Sequence, residues 1–407
     1  MFTPVFSGYF IGFWMLLASL LSRSDVIGPQ SERDRSAFKT LLRPISTASL
    51  IFWGLLLVAG AWASVDATGV DYKALRHGLG NAGVKYVALW FGYRCFFWRF
   101  AVEKNIRSAF AMTYGIAAPI HAVYCVFQRH YGLDWVHGIG NTLGAGRFAY
   151  GYYRISGFVG HPLTLGYCLA LALVASLALY NLSESRWEKF AWLSALISSS
   201  VILALSGSRG PQLTALLVGT FLLPHRIILS HWRIALIGLV AALSWAWFGG
   251  AFSRYAEVFA DRSGGDLRLV HWSVHWKIFQ DHLIHGISPG ASREVISAYY
   301  SSAGVGDTIK LAHNSYLQFA ADYGLLGLVG ALIWTFSWGV VGKKSSVARR
   351  GIWGLLAVII LSTLTQNTLQ DSEFIYSLTI WTMILVAKEV RQHGGASTSF
   401  ENKDHIT

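Results

Sequence analysis

Leu163-Thr-Leu-Gly-Tyr-Cys-Leu-Ala-Leu-Ala-Leu-Val-Ala-Ser-Leu-Ala-Leu-Tyr180 carries no charged residue and has no polar face. Crossing a hydrocarbon core takes about 20 apolar residues, and this block, within a predicted span of about 156–180, is long enough. A block that is apolar all round, with Gly, Ser and Thr inside it, reads as a membrane helix rather than a buried soluble one. Working outward, similar blocks occur at about 6–22, 46–64, 84–102, 108–128, 190–206, 210–224, 232–250, 316–341, 351–369 and 376–388. The stretch 23–45 has room for one more helix, short or interfacial. The expected fold is an all-α, polytopic membrane bundle of 11–12 transmembrane helices with one long periplasmic loop. Met1 to Leu21 lacks a basic leader and a small-residue cleavage signature, so it reads as a first membrane helix, not a removed signal.

Composition agrees. Hydrophobic residues make up 54% of the chain and charged residues 13%, against about 25% charged in an average soluble chain; mean hydropathy is +0.44. The 17 Trp and 18 Tyr gather near block ends, as aromatic belts do. The net charge of +12 comes from basic residues in short loops, without a basic stripe interleaved with aromatics, so no nucleic-acid partner is expected. Cys95, Cys125 and Cys168 lie in apolar blocks and imply neither a disulfide framework nor a metal site.

Loop charges orient the bundle. One set of loops is rich in Lys and Arg, including Arg33, Arg35, Lys39, Arg43, Lys104, Arg107, Arg186, Lys189, Lys343, Lys344, Arg349 and Arg350. These loops are expected in the cytoplasm. The outer face then holds three segments: His130 to Ile155, the turn Ser206-Gly-Ser-Arg-Gly210, and the long loop Ala251 to Ala312. The expected organisation is transmembrane helices over 1–250, a partly helical periplasmic loop over 251–312, further transmembrane helices over 313–390 and a disordered cytoplasmic tail over 391–407. Within the loop, Leu267 to Phe279 alternates apolar and polar residues at helical spacing, which predicts an amphipathic helix on the bilayer surface. No internal repeat is visible.

Three groups of outer residues carry chemistry. Arg147 and Arg154 are seven apart; on a helix they would point the same way and could grip a diphosphate between planar forks. The alternative is snorkelling to headgroups or stacking on Tyr150, Tyr152 and Tyr153. Arg209 stands at a Gly- and Pro-broken helix start, where backbone donors add to its charge, or it is an ordinary turn arginine. His313 stands where the outer loop re-enters the membrane. A neutral imidazole suits a general base for a sugar hydroxyl; a capping or interfacial histidine is the alternative. His271 and His275 form an i,i+4 pair without the neighbours a metal site needs, so no metal and no cofactor is expected. Asp261 and Asp266 read as caps or partners of Arg262. Asp371 could orient a base or bind a sugar hydroxyl, or be a solvated turn carboxylate.

His313-Asn314, nine residues, Gly324, two residues, Gly327 resembles the signature of the O-antigen ligase family of bacterial outer-membrane glycolipid assembly. The wider group includes O-antigen polymerases and pilin oligosaccharyltransferases. Arg154-Ile-Ser-Gly-Phe-Val-Gly-His-Pro162, the turn at Arg209, and Arg268 to Trp276 followed by Gly286-Ile-Ser-Pro-Gly290 occur in the family's order. The resemblance covers about residues 140–370. It implies a multi-pass protein of the bacterial inner membrane, a glycosyltransferase with its active site on the periplasmic face. An undecaprenyl-diphosphate-linked glycan would be the donor and lipid A–core the acceptor, among membrane lipids. His313 would be the catalytic base; Arg147, Arg154, Arg209, Arg268, Asn314 and Asp371 would bind substrate. The donor carries its own leaving group, and no nucleotide-binding pattern is present. An O-antigen polymerase, or a lipid-linked oligosaccharide transporter with midplane charges and broken helices, are the rival readings.

Overall fold

A computed structural model describes residues 29–66, 72–88, 90, 104–136, 141–142, 148–149, 152–222, 262–288, 292–304 and 311–401. The chain is an all-α polytopic membrane protein. Its helices are α1 (Pro29–Asp66), α2 (Tyr72–Gly83, extended by a π turn Val84–Ala88), α3 (Lys104–Tyr131), α4 (Pro162–Leu182), α5 (Arg186–Ser206) and α6 (Arg209–Leu222). After these come α7 (Arg262–Asp281), α8 (Ser292–Ser302), α9 (Ser315–Lys344), α10 (Arg349–Thr365) and α11 (Ser372–Glu401). Among the described residues, extended structure is limited to two small hairpins. β1 (Leu133–Asp134) pairs antiparallel with β2 (Asn141–Thr142), and β3 (Phe148–Ala149) with β4 (Tyr152–Tyr153).

Five of these helices are long and apolar enough to cross a membrane: Glu32–Ala63, Arg107–Tyr131, Pro162–Leu182, Arg186–Ser206 and Ser315–Lys344. They fall on predicted spans. The predicted spans 6–22 and 232–250, and most of 84–102, lie outside the described residues, as do Asp261 and Arg147. Two boundaries differ from expectation. The described part of 23–45 is no separate helix but the first half of α1, because Phe38, Leu42, Ile45 and Phe52 continue one buried stripe at helical spacing. The last helix runs on through Gly394 and Gly395 to Glu401; glycine lowers helix propensity by about 1 kcal/mol each without forbidding the conformation.

The core is aromatic, so part of the Trp and Tyr complement sits inside the bundle rather than in interfacial belts. Trp334 and Trp338 pack 4.6 Å apart, Trp90 stacks edge-on to Trp338, and Tyr86 edge-on to Trp334. In an apolar interior every indole N–H needs an acceptor. Hydroxyls on neighbouring helices supply them: Ser46 for Trp90 (2.8 Å), Ser49 for Trp334 (3.0 Å) and Thr382 for Trp338 (2.8 Å). The last two bonds tie α1 and α11 to α9.

The two ends of the bundle differ in character. At one end the basic loops gather. There the Glu389 carboxylate accepts from the backbone N–H of Ser346 (2.7 Å), Val347 (2.8 Å) and Ala348 (2.6 Å), capping α10. Lys388 meets Glu188 at 3.2 Å nearby. The other end holds the C-termini of α3, α5 and α10, the N-termini of α4, α6, α9 and α11, and the loop helix α7.

At this second end α9 is broken. Gly324 adopts φ 63°, ψ −153° in the middle of the helix, a conformation open to glycine alone. The break frees backbone groups that residues 283–288 then satisfy. Ile287 and Ser288 N–H donate to the Ala321 and Asp322 carbonyls (3.0 and 2.9 Å), and Leu325 and Leu326 N–H donate to Leu283 and Ile284 (2.8 and 3.5 Å). The approach is so close that a Cβ on Gly324 would stand 2.3 Å from the Ile284 carbonyl, and one on Gly286 (φ 68°) 2.4 Å from the Asp322 carbonyl carbon. Gly324→Ala and Gly286→Ala are each expected to combine backbone strain of about 1–3 kcal/mol with a backbone clash. Thermal unfolding in detergent should show both variants well below wild type, whereas Gly304→Ala, at an open turn, should lose only the strain component.

Candidate functional site

The break in α9 isolates a short upper segment, Ser315 to Tyr323, and everything at its start is pinned. His313 has φ 49°, a left-handed turn that few non-glycine residues adopt outside special sites. Asn314 follows as the N-cap, its Oδ1 accepting from Leu317 N–H at 3.1 Å, which the expected substrate-binding reading had not foreseen. Ser315 Oγ donates to the Gln366 carbonyl (3.0 Å) and accepts from Leu369 N–H (3.1 Å). Gln318 Oε1 accepts from Ala312 N–H (2.9 Å), and its Nε2 donates to both oxygens of buried Asp322 (3.1 and 3.2 Å). The half-buried His313 ring is thereby fixed in place, with Nδ1 donating to Gln366 Oε1 at 3.1 Å. In the tautomer that donates from Nδ1, Nε2 carries the lone pair that a general base requires.

The amphipathic helix expected over 267–279 exists as α7, and it packs on α9 rather than standing alone on a surface. Val274, Ile278, Ile287, Ile296, Tyr300 and Ala321 form a small core between α7, α8 and α9. Its two central histidines are buried with them. His271 Nδ1 bonds the Tyr300 hydroxyl, and the His271 ring stands edge-on to His313 at 5.7 Å. His275 Nδ1 donates to the His271 carbonyl at 2.9 Å.

The arginines reach this end from other elements. Phe148–Ala149 and Tyr152–Tyr153 are paired strands, not the helix on which the Arg147–Arg154 spacing would align two guanidinium groups. The alternating aromatics Phe148, Tyr150 and Tyr152 favour strands. Arg154 exits β4 half-buried. Arg129 closes the hairpin onto the bundle. Its guanidinium lies 3.7 Å over the Tyr152 ring and donates at 2.5 Å to the Leu205 carbonyl, at the C-terminus of α5. Arg209 opens α6 directly after left-handed Gly207. Gly210 beside it faces the hydroxyl pair of Tyr167 and Thr365, which bond each other at 2.5 Å. Exposed Arg268, on α7, is near enough for its charge to act on that same Tyr167 hydroxyl. Since Thr365 precedes Gln366, the start of α6 and His313 both lie at one end of α10, within reach of the Arg268 charge.

Asp371 is no solvated turn residue. It is bonded by Thr164 Oγ1 from the start of α4 and by the Glu373 carboxyl, with Lys85 close by on the carbonyl of Gln370. Burial first, then Glu373, pushes the Asp371 carboxyl above the usual carboxylate range. Glu373 also lines an apolar cavity of about 450 Å³ between α3, α4, α5 and α11, walled by Tyr114, Phe158, Leu169, Ile202 and Trp381. Sequence reading missed Gln366, Thr164, Tyr300 and Glu373. The only signal for the first was a run of polar residues, Thr365-Gln-Asn-Thr, closing an apolar span.

Residues 193–332 match the family model described as O-antigen ligase. The matched segment holds Arg209, Arg268, His313, Asn314 and the break at Gly324; Arg147, Arg154 and Asp371 lie outside it. No curated protein matches the chain.

Burial lowers the pKa of His275 to about 4, below the unfolded value of about 6.5. A depressed folded pKa means stability that is complete above pH 6.5 and is lost as pH falls towards 4, by up to about 3 kcal/mol. Melting of the purified protein across pH 4 to 7 should show this acid-side decline, and His275→Gln should flatten it; an unchanged slope would place the titrating group elsewhere.

Proposed function

We propose that this chain, a member of the O-antigen ligase family through its residues 193–332, transfers glycan from undecaprenyl diphosphate to a sugar hydroxyl of lipid A–core. The reaction takes place on the periplasmic face of the bacterial inner membrane. The observation that carries this reading is His313. It is held on a strained turn with Nδ1 spent on Gln366, at the end of α10 that the start of α6 and the Arg268 charge also reach. A multi-pass helical protein with this domain supports O-antigen ligase or polymerase chemistry in general; the donor, the acceptor and the residue roles are the finer proposal.

The chemistry follows from the donor. The acceptor oxygen attacks the anomeric carbon while His313 Nε2 takes its proton. The bond to the diphosphate breaks in line, so the anomeric centre inverts. Negative charge then grows on the leaving diphosphate. Arg209 and Arg268, with Arg154 and Arg147, would neutralise it; preorganised cations are worth most where charge develops. Protein cations suffice for this, so the proposed reaction is metal-independent. Half-buried Asp371, bonded to Thr164 at the start of α4, suits a hydrogen bond to the acceptor sugar. The break in α9 is a transporter-like trait, but its freed backbone groups are closed by residues 283–288 rather than turned towards a midplane site.

Purified protein in detergent with EDTA would be given undecaprenyl-diphosphate-linked glycan and lipid A–core, with product resolved by gel. Transfer is expected to survive chelation, to fall by roughly 10²–10⁴ in His313→Ala and by roughly 10²–10³ in Arg209→Ala and Arg268→Ala. Full activity in His313→Ala would remove it as the base. Chain growth on the lipid-linked donor, with no lipid A–core product, would identify a polymerase.

A further inference from the structure

The loop helix α7 puts a second imidazole beside the base, and the family reading gives it no task. His271 is 4% exposed and sits against Tyr300, itself 1% exposed, through Nδ1 and the phenol hydroxyl. Its ring stands edge-on to His313 at 5.7 Å. Two features are costly for a merely structural contact. Burying an imidazole and a phenol together in a small apolar core costs free energy unless their polar atoms are matched, and an apolar pair would fill the same space. Moreover, α7 buries a second histidine one turn on, His275, whose Nδ1 donates to the His271 main-chain carbonyl. The groups facing His271 are therefore Tyr300 from α8, His275 from its own helix and His313 from the turn before α9. Buried Asp322 stands one residue further off, behind Gln318.

We propose that His271, backed by Tyr300, is a positioning and proton-relay residue for His313. The proposal rests on the reading of His313 as the general base. In the transfer step the acceptor O–H proton goes to His313 Nε2, the acceptor oxygen's electron pair forms the new glycosidic bond, and the pair of the broken anomeric C–O bond leaves with the diphosphate. The imidazolium must then lose that proton before the next turnover, at a rim where substrate sugars cover it. His271 takes it at Nε2, with its Nδ1–H held on the Tyr300 oxygen, and returns it to solvent through the half-exposed His313 once product leaves. No oxidant or co-reactant is needed, and each group ends in its starting charge. The same contact keeps the His313 ring from turning away from Gln366.

The test is the pH profile of transfer, measured between pH 5.5 and 9 for wild type, His271→Gln, Tyr300→Phe and His313→Ala, with lipid-linked glycan and lipid A–core as substrates. His271→Gln keeps a hydrogen-bonding partner for Tyr300 but cannot carry a proton. We expect its kcat to fall about 10–100-fold with KM little changed, and its acid limb to move. Tyr300→Phe should fall less, about 3–10-fold, with the limb moving in the same direction. Melting temperature and donor binding, followed alongside, separate folding from chemistry. A uniform fall in rate with an unmoved pH profile, or a change confined to KM, would overturn the relay and leave a packing contact. If His271→Gln does not fold, Tyr300→Phe decides alone by the same criterion. An active His313→Ala would overturn the base itself, and is distinguishable because the base reading then fails whatever His271 does.

Discussion

Four main-chain hydrogen bonds between residues 283–288 and the break at Gly324 set the geometry of the whole site end. A helix interrupted within a membrane-spanning bundle exposes donors and acceptors that hydrocarbon cannot satisfy, each costing several kcal/mol if left alone. Here a loop from outside the spans enters and supplies the partners. Once it is seated, α7 lies across the upper segment of α9, the Val274–Ile278 face closes over Ala321, and His271 arrives beside His313. Remove the joint and the catalytic turn loses both its support from below and its cover from above.

On that frame the charges divide the rim. Arg209 and Arg268 approach from α6 and α7 towards Tyr167 and Thr365, while Asp371 and Glu373 stand together at the start of α11 next to Thr164 and Lys85. His313 is tied to Gln366 where α10 ends, one residue from Thr365.

Much of this was legible in the sequence, and the reasons are physical. Apolar blocks such as 163–180 announce membrane helices because length and uniform hydrophobicity suffice, and the periodicity of 267–279 announces α7. The Arg147–Arg154 spacing is informative only on a helix, and aromatic alternation argued instead for the strands found at 148–149 and 152–153. The joint at Gly324 was visible only as two spaced glycines. Main-chain pairing leaves no trace in side-chain identity except where a Cβ would collide. Gln366, Thr164 and Tyr300 were hidden for the converse reason: each matters through a partner distant in the chain, as Thr164 does through Asp371, and nothing local marks it.

The joint itself has a bearing on how such an enzyme can change. Because its bonds run between backbone atoms, they make no demand on most of the side chains they join. Leu283 and Ile284 both accept through carbonyls while their side chains stand about half exposed. The exposed lip can therefore be rewritten residue by residue without moving the histidine turn below it. The two are joined yet free to drift separately.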